Sequence, residues 1–242
     1  MPRTHRTEDA TRDLVSDAVI EYVAEHGIGV QPEIPMERIL ETAGVSRASA
    51  YRIWPGRSAF GAFAIEQCAA GNTLESLTHT RAIALARRAL DVETDPVHCA
   101  AYFVALCADE ELTLLLASPR WRAFVCFQAV ATGTSAELLR TALERADSED
   151  IDRLTHFYRY IADAWGLENY DDDGERRLAE TALLISRSTA ARIVVGKDEA
   201  DARRGYASSL TALVRGTFRA RPTKGHSAKK VLDAVNGWAG LQ

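Results

Sequence analysis

Long apolar runs are missing from this chain. Hydrophobic residues make up 47% of its 242 positions, yet no stretch approaches the roughly 18 consecutive apolar residues of a membrane span. Glycine and proline are scarce, at 15 and 7 residues, and runs of valine, isoleucine or threonine hardly occur. That leaves little material for sheets or low-complexity linkers. Alanine, leucine, arginine and glutamate dominate instead, and these favour helix. The four cysteines (Cys68, Cys99, Cys107, Cys126) form no CxxC pair and sit among apolar residues of helical spacing, so they are expected to be reduced core thiols. The first residues, Met-Pro-Arg-Thr-His-Arg, run into an acidic segment without an apolar stretch. They do not resemble a secretory signal, and a cytoplasmic location is expected, with no membrane partner. A phosphate-cradling glycine loop, a metal triad and a nucleophile elbow are also lacking, and the six histidines are dispersed. The chain is therefore not expected to be an enzyme or to carry a cofactor or metal.

One further absence is local. The net charge is −5, but between Thr42 and Ile65 there is no acidic side chain, while Arg47, Arg52 and Arg57 all fall there. Arg3, Arg6 and Arg12 lie near the start. Affinity for phosphate depends on where cations sit, so an acidic protein can still carry a local arginine cluster that binds nucleic acid.

What is present is helical periodicity. Leu14, Val15, Ala18, Val19, Tyr22 and Val23 recur at three- and four-residue spacing, predicting a helix over 11–26 that Gly27 and Gly29 close. After a loop at 28–35, Met36, Ile39, Leu40 and Ala43 mark a short helix that ends at Gly44. Ser46 then caps a second short helix, which Pro55-Gly56 terminates. A fourth helix follows from Ser58. Further segments are expected near 74–91, 96–117, 119–131, 135–146, 149–166, 174–195 and 198–219, with a last short helix at about 227–238.

The informative stretch runs from Ile39 to Trp54. Two short helices joined by a tight glycine turn expose the second, whose N-terminal half can enter a major groove. There Ala50 and Ile53 are placed to pack inwards, and Arg47, Ala48, Ser49 and Arg52 to face out. Small residues at 48 and 49 let the backbone approach base edges, arginine pairs with guanine, and the Ser49 hydroxyl donates or accepts.

Ala43-Gly44-Val45-Ser46, Ala48-Ser49-Ala50-Tyr51, Trp54 and Arg57 resemble the signature of the TetR family of transcriptional regulators in order and spacing. The likeness spans about residues 11–70, at the N-terminal position usual for that family. It implies an all-α fold in which a three-helix helix-turn-helix domain (1–70) is followed by a larger ligand-binding and dimerisation bundle (71–221) and a tail with a short helix (222–242). It implies a ligand-responsive regulator, a homodimer that represses from a palindromic double-stranded operator and is released by a small apolar effector. The residue roles it implies are base or phosphate contacts for Arg47, Ala48 and Ser49, and a phosphate contact for Tyr51. Trp54 would brace the reading helix and touch the same strand, Arg57 would grip a phosphate, and Arg52 joins the set. The chain departs from the family at Ile34-Pro35, commonly Thr-Thr, at Glu37, commonly polar or basic, and at Ala50, commonly a larger aliphatic.

Beyond residue 70 the resemblance is architectural. It implies that the helices at 174–195 and 198–219 pair with those of a second subunit. A sensing pocket needs an apolar wall with a few polar groups, and Trp121, Phe124, Gln128, His156 and Tyr160 are the candidates to line one. The competing reading is a helical protein-interaction scaffold without DNA binding, which would leave Arg47, Arg52 and Arg57 without a role.

Overall fold

A computed structural model describes residues 7–27, 34–70, 77–130, 133–222 and 227–238. Its first helix, α1 (Glu8–His26), begins where Thr7 accepts a hydrogen bond from the Ala10 N–H at 3.3 Å. Glu8 and Asp9 sit at the positive helix end and His26 at the negative one, as the helix dipole favours. Gly27, at φ 65°, closes it, a conformation that only glycine adopts without strain. Next come α2 (Met36–Thr42), α3 (Arg47–Ile53) and α4 (Arg57–Ala70), then α5 (His79–Val92), α6 (Pro96–Ala117) and α7 (Pro119–Val130). The long α8 (Gly133–Trp165), α9 (Gly174–Val194), α10 (Glu199–Thr217) and α11 (Ala228–Trp238) complete the helices. The expected all-α class is what the structure shows. No helix among the described residues is long and apolar enough to cross a membrane.

Two features differ from expectation. The predicted break at Asp147 does not occur, and α8 runs through it. Asp147 and Ser148 only weakly disfavour helix, and the buried Asp150 anchors the region by pairing with Arg153 and, at 3.2 Å, with Arg187 of α9. An antiparallel pair of three-residue strands, β1 (Leu167–Asn169) and β2 (Phe218–Ala220), was also not foreseen. Gly166, at φ 68°, ends α8, and the exits of α8 and α10 then run side by side. Leu167 sits opposite Ala220 and Asn169 opposite Phe218, and Arg219 meets Glu168 at 2.8 Å.

The chain groups into two compact units. The first comprises Met1–Thr73 and Ala117–Asp147, the second Leu74–Leu116 and Ser148–Gln242. The division read from sequence near residue 70 is thus crossed by the segment 117–147. Ala123 and Leu139 enter the same core as Val15, Val19, Ile39, Ala50, Trp54 and Phe60, with Cys126 and Leu143 packed against it. Cys68 is sealed in that core, where burial pushes its thiol up to about 12; a protonated thiol is a poor nucleophile and metal ligand. In the second unit Phe103 stacks on Trp165 with centroids 5.0 Å apart. There α11 packs on α5, burying Val231 and Val235.

Candidate nucleic-acid interface

The two-helix corner is built by backbone chemistry. Gly44 takes φ 61°. That lets the Val45 N–H donate to the Leu40 carbonyl at 2.9 Å while the Gly44 N–H donates to Glu41 at 3.1 Å, satisfying the last carbonyls of α2. Val45 drops into the core beside Ile39 and Leu40. Ser46 starts α3, its Oγ accepting from the Ser49 N–H at 3.2 Å. The N-cap of α2 is Pro35, with no side-chain hydrogen bond, which is the consequence of the missing hydroxyl pair at 34–35.

On α3 the inward face is Ala50, fully buried, with Ile53 half-buried. Arg47, Ala48, Tyr51 and Arg52 are exposed, with Tyr51 at 46%. Ser49 is half-buried and its Oγ lies 2.9 Å from that of Ser46, so its hydroxyl has one partner within the corner and keeps acceptor capacity. Arg57 is exposed in the first turn of α4, where the helix N-terminus adds positive potential. Arg47 extends into solvent at 73% side-chain exposure, 3.6 Å from Glu37 of α2. Such an exposed pair is weak, but it ties an acid to the outward face. An acid at position 37 repels phosphate, and the fact that it partners Arg47 follows only from the folded corner.

The expectation that Trp54 touches the DNA strand needs correction. Trp54 is 2% exposed. Its ring lies 4.7 Å from Phe63 and edge-on to Phe60 at 5.7 Å, with the Arg12 guanidinium over it at 5.6 Å. Burial of a large ring between α3 and α4 makes it a support beneath the reading helix. Arg3 and Arg6 lie outside the described residues.

The five candidate effector residues are not brought together by either unit. Trp121 and Phe124 are buried in the first unit, ring against ring at 5.1 Å. Gln128 lies on α7, its side chain outside the described residues. His156 and Tyr160 belong to the second unit. His156 is exposed, its Nδ1 2.7 Å from the Asp152 carbonyl, and Tyr160 donates its hydroxyl to the Ala234 carbonyl of α11. Trp121 and Phe124 behave as core because large rings gain most by complete burial.

Sequence reasoning missed a different site. In the second unit, residues of α6, α8, α9 and α10 line a small cavity of about 20 Å³. Glu111, Cys107, Tyr158, Ser186 and Tyr206 supply its polar lining. A signal for it existed, since Val104, Cys107, Ala108, Glu111 and Leu115 form one helical stripe in which an acid stands among apolar residues.

No family model and no curated protein matches this chain. Among solved structures, a TetR-family transcriptional regulator from Rhodococcus sp. superposes with a TM-score of 0.55 at 16% identity, over 85% of this chain and 99% of that one. A TetR-family transcriptional regulator from Cytophaga hutchinsonii gives 0.54 at 13% identity, over 90% and 100%. At such identities the likeness is one of fold, and by that measure the chain has the all-α fold of the TetR-family regulators.

Proposed function

We propose that this chain is a ligand-responsive, DNA-binding transcriptional regulator, a homodimer that represses from a roughly palindromic operator and releases it when a small effector binds. The observation that carries the reading is the outward face of α3. Arg47, Tyr51 and Arg52 stand on it in an acid-free stretch, over a corner held by Gly44 and Ser46 and braced by Trp54. Residues 1–70 form the reading domain in this proposal, with Ala48 allowing close approach, Arg47 and Arg52 reaching bases, and Tyr51 and Arg57 holding phosphates. Acting on chromosomal DNA, the protein works in the cytoplasm.

A single short reading helix makes too few contacts for useful specificity, so two readers are needed. The face offered for pairing is formed by α9 and α10. Leu184 and Val195 are 67% and 79% exposed there, beside an open groove of about 570 Å³ that includes Ser188, Gly205 and Ser209. Small residues let helices of a second copy approach closely, and isologous pairing of such a face closes a two-fold dimer. An effector acts by preferring the conformation in which the two readers do not fit the operator; only that difference in affinity shifts the equilibrium.

Selection of bound fragments from fragmented genomic DNA, followed by gel shift, tests the proposal. A shifted fragment carrying an inverted repeat is the expected result. No shift with any fragment at low salt would overturn it and favour the helical scaffold.

A further inference from the structure

We propose that Glu37 positions Arg47 for sequence reading, holding the guanidinium by one edge so that its other edge forks a guanine of the operator instead of a phosphate. The inference deepens the DNA-binding reading above and rests on it.

The sequence sets up the conflict. Arg47, Arg52 and Arg57 stand in a stretch without acids, yet the fold brings an acid back to the first of them. Glu37 lies in the first turn of α2 and Arg47 in the first turn of α3. The corner at Gly44 brings their side chains to 3.6 Å, and both line one open groove with Glu41 and Val45. Among the described residues, Arg47 is the one cation of that stretch with an acid partner.

The pair does little for the fold. Arg47 and Glu37 are 73% and 56% exposed at their side chains, and water screens an ion pair so exposed. A carboxylate in the first turn of α2 suits the helix dipole, but that role does not need Arg47. An acid on a DNA-facing surface also repels phosphate, so its place beside a reading arginine costs affinity that specificity must offset.

Guanidinium chemistry supplies the gain. Five N–H donors lie in a rigid planar fork, and guanine takes two of them at O6 and N7. The remaining edge is open to a carboxylate. An arginine held in this way keeps its fork while its charge is neutralised. The general pull of phosphate on it falls, and the directional pairing with guanine remains. Glu37 thereby penalises the wrong contact more than the right one, which gains discrimination without new affinity. At 3.6 Å the pair stands just beyond hydrogen-bond length, and its exposure leaves both side chains free to close that gap on DNA.

Binding isotherms at several salt concentrations test this, on the fragment selected from genomic DNA and on a scrambled duplex of equal length. Glu37→Gln should bind scrambled DNA about threefold tighter or more, with a salt dependence steeper by about one phosphate contact per chain, because Arg47 is released to the backbone. Its preference for the selected fragment should fall about tenfold, with tolerance appearing at one G·C pair, the pair that Arg47→Ala also relaxes. In an Arg47→Ala background the same change at Glu37 should leave the preference unaltered, since nothing remains to be positioned. Glu41→Gln removes the same charge from the same groove and should shift both DNAs alike. A preference kept by Glu37→Gln, an equal loss of preference in Glu41→Gln, or a loss that persists without Arg47 would overturn the proposal. Weaker binding to both DNAs, the mark of a damaged α2, would overturn it too, whereas tighter binding to scrambled DNA with unchanged circular dichroism supports it. A parent protein that binds no DNA sinks the regulator together with this role. A parent that binds a specific fragment while Glu37→Gln keeps its preference sinks the role alone.

Discussion

Arg47 and Arg57 carry the same charge in different settings, and their alanine variants should fail differently. Arg47 stands in the first turn of α3, next to Ala48 and largely in solvent. Loss of a bidentate base contact should cost about 1–3 kcal/mol per half-site and relax preference at one operator position. Arg57 opens α4, so its loss should weaken all sequences alike and lower the salt slope by about one. Binding isotherms on operator and scrambled DNA at several salt concentrations check both. Trp54 offers a cleaner contrast, because its indole Nε1 is buried without a hydrogen-bond partner. Trp54→Ala should cost about 3–5 kcal/mol in urea unfolding. Trp54→Phe should lose less and keep DNA binding, whereas loss of binding with stability retained would restore a contact role. Glu111 predicts a pH effect of definite sign. Its folded carboxyl is raised from 4.5 to about 7, so the folded state holds the proton more tightly than the unfolded one. Stability present below pH 4.5 should decline as pH rises through 7. A shift of that size is worth about 3 kcal/mol at most, and less for a half-buried group. Thermal melts at pH 5 and pH 8 should show the decline in the parent protein and a flatter profile in Glu111→Gln.

Helices α2 and α3 were legible because their ends obey local rules. Proline fixes a first turn, glycine permits positive φ, and a serine side chain caps the next helix, each acting on neighbours no more than about four residues away. Helix α8 was not legible, since its continuity depends on what Asp150 meets. Asp150 is 1% exposed at the side chain, between Arg153 one turn along and Arg187 on α9. Removing the acid takes away the partner that Arg153 and Arg187 share, and the cost is greatest at Arg187, whose side chain is only 15% exposed. Asp150→Ala should therefore destabilise by about 3–5 kcal/mol, read by urea unfolding, and should reduce α8 protection in hydrogen exchange between Asp147 and Leu154. Unchanged stability would mean that solvent reaches the pair. The strand pair β1–β2 escaped for a similar reason: three residues on each side carry no periodic signal, and only the antiparallel meeting of two helix exits creates the pairing.

At the scale of the whole molecule, the predicted homodimer depends on the exposed apolar face of α9. Leu184→Glu should leave the monomer folded, because that side chain is already 67% exposed. It should convert a dimer to a monomer in sedimentation at micromolar protein and weaken operator binding far more than it weakens non-specific DNA binding. A parent protein that sediments as a monomer and binds DNA as one would sink the dimer. A variant that stays dimeric would move the interface elsewhere on the chain.

Composition and periodicity by themselves determined the helical class, the positions of most helices and the glycine-centred corner, because each depends on residues a few positions apart. The exposed arginines were legible for the same reason, since an amphipathic pattern says which side faces out. Tertiary structure alone decided what pairs across distance. It buried Trp54 beneath α3, set Glu37 against Arg47, and drew 117–147 into the first unit. It also brought Glu111 of α6 to the same cavity as Ser186 of α9 and Tyr206 of α10. Such juxtapositions follow from packing that minimises exposed apolar area over the whole chain, and no short window of residues encodes that minimum.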